Sequence, residues 1–283
     1  MDMTNKLDTW FVGSDYMKSA LTIYHPQQAD NAPLLLFAHG FKGFKDWGHF
    51  PKIQESFAKA GFVVVAFNFS HNGGTVEEPI DFPNLESFSE NTYLKELNDV
   101  GHILRWILTN ETTYFKRVNL GQISLLGHSR GGGIALLAAN KYSEIKKVVT
   151  WASVSDFFER LPDDDELDKW KARGVKYIVN GRTKQNIPMK FTFVKSMFDH
   201  MEALTIQTAV KNLNIPALVV HGDQDETVKL ESAERIYSWN RNVELAIVKN
   251  CSHTFNGKHP WKEGNLPKAT IEAIQETLTF LKS

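Results

Sequence analysis

Gly127-His128-Ser129-Arg130-Gly131 sets a serine between two glycines, directly after the apolar run Ile123-Ser124-Leu125-Leu126 and ahead of a small-residue helical stretch. In that setting a G-x-S-x-G pattern carries meaning. Small residues on both sides let the chain turn sharply and leave the hydroxyl exposed at a sheet edge. The helix that follows offers its positive dipole end and free N–H groups where negative charge would develop. A serine hydroxyl is a weak nucleophile unless a base accepts its proton, and the base needs an acid to orient it. Two later loops hold those residue types. His221-Gly222-Asp223-Gln224-Asp225-Glu226-Thr227-Val228 follows the apolar run Ala217–Val220, and Asn250-Cys251-Ser252-His253-Thr254-Phe255 follows Val243–Val248.

If those runs are parallel strands, their following loops emerge at one edge of one sheet, where catalytic groups collect in open α/β folds. Ser129, an acid and His253 then meet although they are far apart in sequence. Asp223 stands directly after a glycine, where an aspartate stabilises a turn through its own backbone. Asp225 is therefore predicted as the acid. Asp156, just past another strand, is a displaced alternative and is read as a helix cap. A tetrahedral intermediate also needs N–H donors for its oxyanion, each worth roughly 3–4 kcal/mol in hydrolytic sites. The amide of Arg130 is one; the loop His39-Gly40-Phe41-Lys42-Gly43 supplies the other, with Phe41 the predicted donor. His39 and His128 are read as supporting or turn residues.

The elements that must hold these loops are legible as alternating patterns. Buried strands are predicted at Leu34–Ala38, Phe62–Phe67, Ile123–Leu126, Lys147–Trp151, Ala217–Val220 and Val243–Val248. Their hydrophobicity is continuous rather than alternating, as strands covered on both faces require. Helices are predicted at Pro51–Ala60, along a face marked by Leu94, Leu97, Val100, Leu104 and Ile107, after Ser129, at Leu230–Trp239 and at Pro267–Leu281. Thr9–Val12 and Ala20–Tyr24 read as a leading antiparallel hairpin. The rhythm breaks over 153–214. About 60 residues is too long for a structureless loop, so this stretch is read as a mostly helical insertion with a small hairpin near Tyr177 to Lys184. Asp163 to Glu166 reads as a solvated helix N-terminus. Met189, Phe191, Phe193, Met197, Phe198 and Met201 form an aromatic–methionine stripe suited either to anchoring the insertion or to lining an apolar pocket. Phe41, Met197 and Phe198 are the predicted substrate contacts.

The pieces His39-Gly40-Phe41, Gly127-His128-Ser129-Arg130-Gly131-Gly132, the Asp225 loop and the His253 loop together resemble the α/β-hydrolase family. Within it they are similar to dienelactone-hydrolase-like, cinnamoyl-esterase-like and prolyl-oligopeptidase-like serine hydrolases. The resemblance runs from about Pro33 to the C-terminus apart from the insertion. It implies a mostly parallel, doubly wound sheet with a helical lid: a core of residues 1–152 and 215–283 and a lid of 153–214. It also implies Ser129 as nucleophile, His253 as base and then acid, Asp225 as its orienting partner, and the Phe41 and Arg130 amides as oxyanion hole. One departure is Ser252, where the family more often has glycine before the histidine.

Composition bounds what this machinery serves. The 283 residues hold 32 Lys+Arg against 33 Asp+Glu, a formal net charge of −1. That balance gives no drive toward nucleic acid or an anionic membrane and suggests a neutral or weakly charged small substrate. No stretch reaches the roughly 18 apolar residues of a membrane span, and Met1–Gly13 lacks the apolar region of a signal peptide, so a cytoplasmic location is expected. The single cysteine, Cys251, leaves no disulfide framework or Cys-cluster metal site; no metal or other cofactor is expected. The reading is a serine hydrolase, a monomer or homodimer, acting on a small-molecule carboxylic ester. An aminoacyl or dipeptidyl peptidase and an acyltransferase are the alternatives for the same triad.

Overall fold

The computed structural model describes residues 4–27 and 30–283; Met1 to Met3, at the head of the stretch inspected for a signal peptide, lie outside them. The described residues form ten strands: β1 (Asn5–Val12), β2 (Lys18–His25), β3 (Ala32–Ala38), β4 (Val63–Phe67), β5 (Val118–His128), β6 (Ile145–Trp151), β7 (Val175–Val179), β8 (Asn186–Lys190), β9 (Ala217–Gly222) and β10 (Val243–Val248). Eight form one sheet in the order β1-β2-β4-β3-β5-β6-β9-β10. β1, β2 and β4 pair antiparallel, and every pair from β4 through β10 is parallel. The leading hairpin is thus an antiparallel margin on a parallel sheet.

The continuous apolar runs fill two cores. Successive strand residues point to opposite faces, so Leu34 and Leu36 join the core on one side of the sheet and Leu35 and Phe37 the other. The first side is covered by helices Tyr93–Thr109 and Arg130–Lys141, the second by Phe50–Lys59 and Lys268–Lys282. Pro51 stands in the first turn of its helix, where a missing N–H costs nothing. No helix among the described residues is long and apolar enough to cross a membrane.

Between β6 and β9 lie a short 3-10 turn at Phe158–Arg160, a helix at Asp164–Arg173, the β7–β8 hairpin, and helices at Thr192–Asp199, Met201–Leu204 and Ile206–Lys211. The hairpin is longer than the predicted 177–184, because Val175–Val179 pairs in full with Asn186–Lys190. Trp170, Ile187, Met189 and Phe193 belong to the same core cluster as the sheet face covered by helices Tyr93–Thr109 and Arg130–Lys141, so the insertion's apolar interior is continuous with the body's. Asp163 caps its helix by accepting from Glu166 N at 3.0 Å. Asp156 accepts from Phe158 N at 2.6 Å and so caps the 3-10 turn.

Candidate active site

β5 runs straight into the helix Arg130–Lys141, and Ser129 is the joint. Its backbone sits at φ 57°, ψ −119°, a left-handed setting that costs a non-glycine residue on the order of 1–3 kcal/mol. The neighbours make it possible. A Cβ on Gly127 would come 2.1 Å from Gly131 O, one on Gly131 would come 2.4 Å from His39 O, and one on Gly132 would come 2.6 Å from Ser153 Oγ. Only glycine lets β5, the elbow and the helix approach this closely. Ser129 N donates to Trp151 O at 2.8 Å, which ties the strained joint to β6.

The loops after β9 and β10 arrive at the same edge. His253 Nε2 lies 3.0 Å from Ser129 Oγ, and its Nδ1 lies 2.7 Å from Asp225 Oδ2. Asp225 is held from several sides: Oδ1 accepts from Thr227 N and Val228 N, both at 2.8 Å, and His221 Nε2 stands 3.4 Å from Oδ2. Burial by itself would raise the Asp225 pKa; hydrogen bonds from His221 and His253 and from the Val228 amide outweigh it and hold the carboxyl well below its usual range. The group stays ionised beside His253. Asp223 serves another contact. Its Oδ1 accepts from Cys251 N at 3.4 Å and its Oδ2 pairs with Lys249 at 3.6 Å, linking the two loops away from His253. Cys251 is fully buried, and burial pushes its thiol up to about 12, so it stays protonated.

Two further histidines fix the site's backbone. Burial lowers the His128 pKa to about 3, and the neutral ring donates from Nε2 to the carbonyl of His253 at 2.9 Å. Burial lowers His39 to about 4. Its Nδ1 donates to Gly40 O at 2.8 Å while Nε2 accepts from Phe69 N at 3.2 Å, which sets the loop carrying Phe41 against Ser129. A Cβ on Gly40 would come 2.9 Å from Ser129 Cβ. The Phe41 and Arg130 amides donate to no protein acceptor among the described residues.

Two cavities open on Ser129. One, of ≈ 280 Å³, is walled by Phe41, Tyr93, Phe157, Trp170, Met189 and Phe193, with Arg130 also lining it. The other, of ≈ 330 Å³, is lined by Trp47, Phe50, His128, Arg182, His253 and Thr254 among others. Phe41 faces both. Met197 and Phe198, predicted as substrate contacts, line neither. Met197 is fully buried with Phe193 and Val194 on the inner face of helix Thr192–Asp199, whereas Phe198 is 51% exposed and meets Phe158 edge-on at 5.8 Å. The helix turns about 100° per residue, so a stripe read from composition alone splits between core and surface.

Sequence reasoning missed the support beneath Arg130. Its guanidinium stacks 3.9 Å from the Phe41 ring centroid and 4.7 Å from that of Tyr93, and Nη1 lies 3.2 Å from Glu96 Oε1. Glu96 also accepts from Asn91 Nδ2 at 2.7 Å, and burial pushes its carboxyl upward against the pull of Arg130. The signal was present: Glu96 and Asp99 fall inside the buried stripe of helix Tyr93–Thr109, where acids are rare without partners.

Residues 33–208 match the family described as alpha/beta hydrolase fold. A parallel sheet in this strand order, with a serine at a β5-to-helix elbow, is what such a match predicts, and this chain belongs to that family. Human serine hydrolase BPHL is 28% identical over 245 residues, covering 81% of this chain and 75% of that protein. The ferulic-acid-bound structure of Est1E from Butyrivibrio proteoclasticus aligns with a TM-score of 0.69 at 20% identity, over 97% of this chain and 100% of that one. The esterase domain of a Rhodothermus marinus protein aligns with a TM-score of 0.62 at 15% identity, over 98% and 99%. At these identities the two structures speak for the fold. The chain is a hydrolase of that fold with esterases among its structural relatives.

Proposed function

We propose that this protein is a serine hydrolase that cleaves carboxylic esters of small or medium acyl or aryl acids through an acyl-enzyme on Ser129. The observation that carries the reading is the unbroken relay from Ser129 Oγ through His253 to Asp225, at 3.0 and 2.7 Å. In this reading Ser129 Oγ attacks the ester carbonyl as His253 Nε2 takes its proton, and the ionised Asp225 stabilises the resulting imidazolium. The oxyanion is received by the amides of Phe41 and Arg130, which have no competing protein acceptor among the described residues. His253 then protonates the departing alcohol. Water, deprotonated by the same histidine, attacks the acyl-enzyme, and the acid leaves with Ser129 restored.

The leaving alcohol must take its proton from His253, so it belongs in the cavity lined by His253 and Thr254. The acyl group belongs in the other, among aromatic walls. Est1E, a relative in fold, has been seen with ferulic acid bound, and an aryl acid suits such walls. An aminoacyl or dipeptidyl peptidase would need an acid to hold the substrate's amine, whereas neither cavity is lined by Asp or Glu. A fluorophosphonate probe should label the wild type and fail on Ser129→Ala. The wild type should hydrolyse p-nitrophenyl esters of two- to six-carbon acids and leave aminoacyl amides intact. Labelling that persists in Ser129→Ala, or preferential cleavage of the amides, overturns the assignment.

A further inference from the structure

The acyl cavity has a charge of its own. It is lined by three cations, Arg130, Arg160 and Lys176, and by no carboxylate. Arg130 is shared with Glu96. Arg160 and Lys176 are not: among the described residues neither has a carboxylate oxygen within 4.0 Å. Arg160 donates from Nη1 to Thr227 O at 3.1 Å, and the rest of its five N–H donors meet no protein acceptor among the described residues. Lys176 Nζ stands 5.7 Å from the Trp170 ring centroid.

Several acids close to Arg160 in sequence are engaged elsewhere. Glu159, next to Arg160, forms a bidentate pair with Arg235 at 2.5 and 2.8 Å. Asp156 and Asp163 cap their own turns. Asp165 and Glu166 both pair with Lys169, at 2.5 and 3.3 Å. The whole-chain charge of −1 therefore does not describe what a ligand meets in this cavity, and of the neutral or weakly charged substrates expected from it, the cavity's lining favours a singly anionic one.

We propose that the acyl cavity selects esters whose acyl half ends in a carboxylate, the hemi-esters of short dicarboxylic acids, with Arg160 and Lys176 receiving the free carboxylate. The apolar rings that line the same cavity hold the methylene or aryl stem, and ≈ 280 Å³ suits a short one. A carboxylate gains charge-assisted hydrogen bonds from a guanidinium and an ammonium already facing the cavity. A methyl end gains neither contact. This proposal deepens the esterase reading and rests on it.

The test compares mono-p-nitrophenyl glutarate with p-nitrophenyl pentanoate, which differ chiefly in the terminal carboxylate. At low salt the wild type should favour the hemi-ester at least tenfold in kcat/KM. That ratio should fall toward one in Arg160→Gln/Lys176→Gln and in the wild type at high NaCl. Equal or better cleavage of the pentanoate by the wild type, or a ratio untouched in the double variant, overturns the proposal. If the wild type cleaves neither ester and the fluorophosphonate leaves Ser129 unlabelled, the esterase reading fails instead. The cavity assignment is then decided by calorimetry with free glutarate and pentanoate on Ser129→Ala, with and without the two substitutions. Tighter glutarate binding that the substitutions abolish supports it; equal binding of the two acids overturns it.

Discussion

Replacing Asp225 by asparagine exchanges one oxygen for an NH2 group of nearly the same size, and the surroundings decide which way the amide faces. Oδ1 accepts from Thr227 N and Val228 N, both at 2.8 Å. An NH2 group there would meet two N–H donors, so the amide oxygen must stay at that position. The NH2 then faces His253 Nδ1, where the carboxylate oxygen stood at 2.7 Å. Two N–H groups cannot share that contact. The imidazole must therefore accept at Nδ1 and carry its proton on Nε2, toward Ser129, where it cannot act as the base. Restoring the working tautomer leaves buried donors facing each other, at about 1–3 kcal/mol. The lost attraction between a carboxylate and the developing imidazolium adds roughly 3–4 kcal/mol at an effective dielectric near 20.

Together these predict a fall in kcat of roughly 1,000- to 100,000-fold, measured on p-nitrophenyl butyrate with a melting curve alongside to show that the variant folds. Asp223→Asn is the control. Its carboxylate touches the Cys251 amide at 3.4 Å and Lys249 at 3.6 Å, so its loss should stay within about fivefold. Turnover of Asp225→Asn within tenfold of wild type, or an equal loss in both variants, would refute the assignment of the acid and the argument about the amide's orientation.

Three further outcomes follow from the packing and the buried charges. The folded protein holds His39 and His49 at about 4 and His128 at about 3, against 6.5 for an exposed histidine, because burial disfavours the charged ring. Between pH 6.5 and 4 the unfolded chain binds more protons at these positions, so stability should fall as pH drops through that window, by up to about 1 kcal/mol per unit for each ring. A melting temperature that stays flat from pH 7 to 4.5 would contradict this. Gly127→Ala should cost about 3 kcal/mol or prevent folding, since its Cβ would meet the Gly131 carbonyl at 2.1 Å; Gly264→Ala, with nothing within 4 Å, should be neutral in the same denaturation assay. Arg235→Ala should lower stability by no more than about 1 kcal/mol, because its pair with Glu159 is 43% and 53% exposed; a larger loss of melting temperature would mean that this contact holds the insertion down.

What could be read from the sequence was what a short stretch decides by itself. The turn at Ser129 needs small neighbours within two or three positions, and Gly127, Gly131 and Gly132 announce it. The convergence of Asp225 and His253 needed only that their strands be parallel, which the continuous apolar runs imply. The two cavities are a different matter. Arg160 comes from a 3-10 turn, Lys176 from a hairpin strand, and Arg130's partner Glu96 from the neighbouring helix Tyr93–Thr109. No local spacing relates them. Met197 and Phe198 show the same limit within a single helix: adjacent residues of suitable type face opposite ways, and the phase is set by packing against the body rather than by composition.

That division has a consequence for how the protein would change under substitution. The groups proposed to move protons are carried on the ends of β5, β9 and β10 and are braced by contacts that admit almost no volume: Gly40 against Ser129, Gly222 against Cys251, His128 against the His253 carbonyl. Much of the proposed acyl cavity's wall and two of its three cations come from the insertion, whose attachments include the exposed Glu159–Arg235 pair and the single hydrogen bond from Arg160 to Thr227. Charge changes at Arg160 or Lys176 should therefore alter which acyl group is held without straining the elbow, whereas even a methyl group at Gly127 or Gly131 should reach Ser129, the proposed nucleophile, through the backbone. Selectivity and chemistry are coupled at Arg130, whose amide is a proposed oxyanion donor and whose guanidinium lies against Phe41, the residue carrying the other proposed donor. An acyl group that displaces that guanidinium would shift the ring and the loop behind it, so substrates too bulky for the cavity should lose kcat as well as affinity.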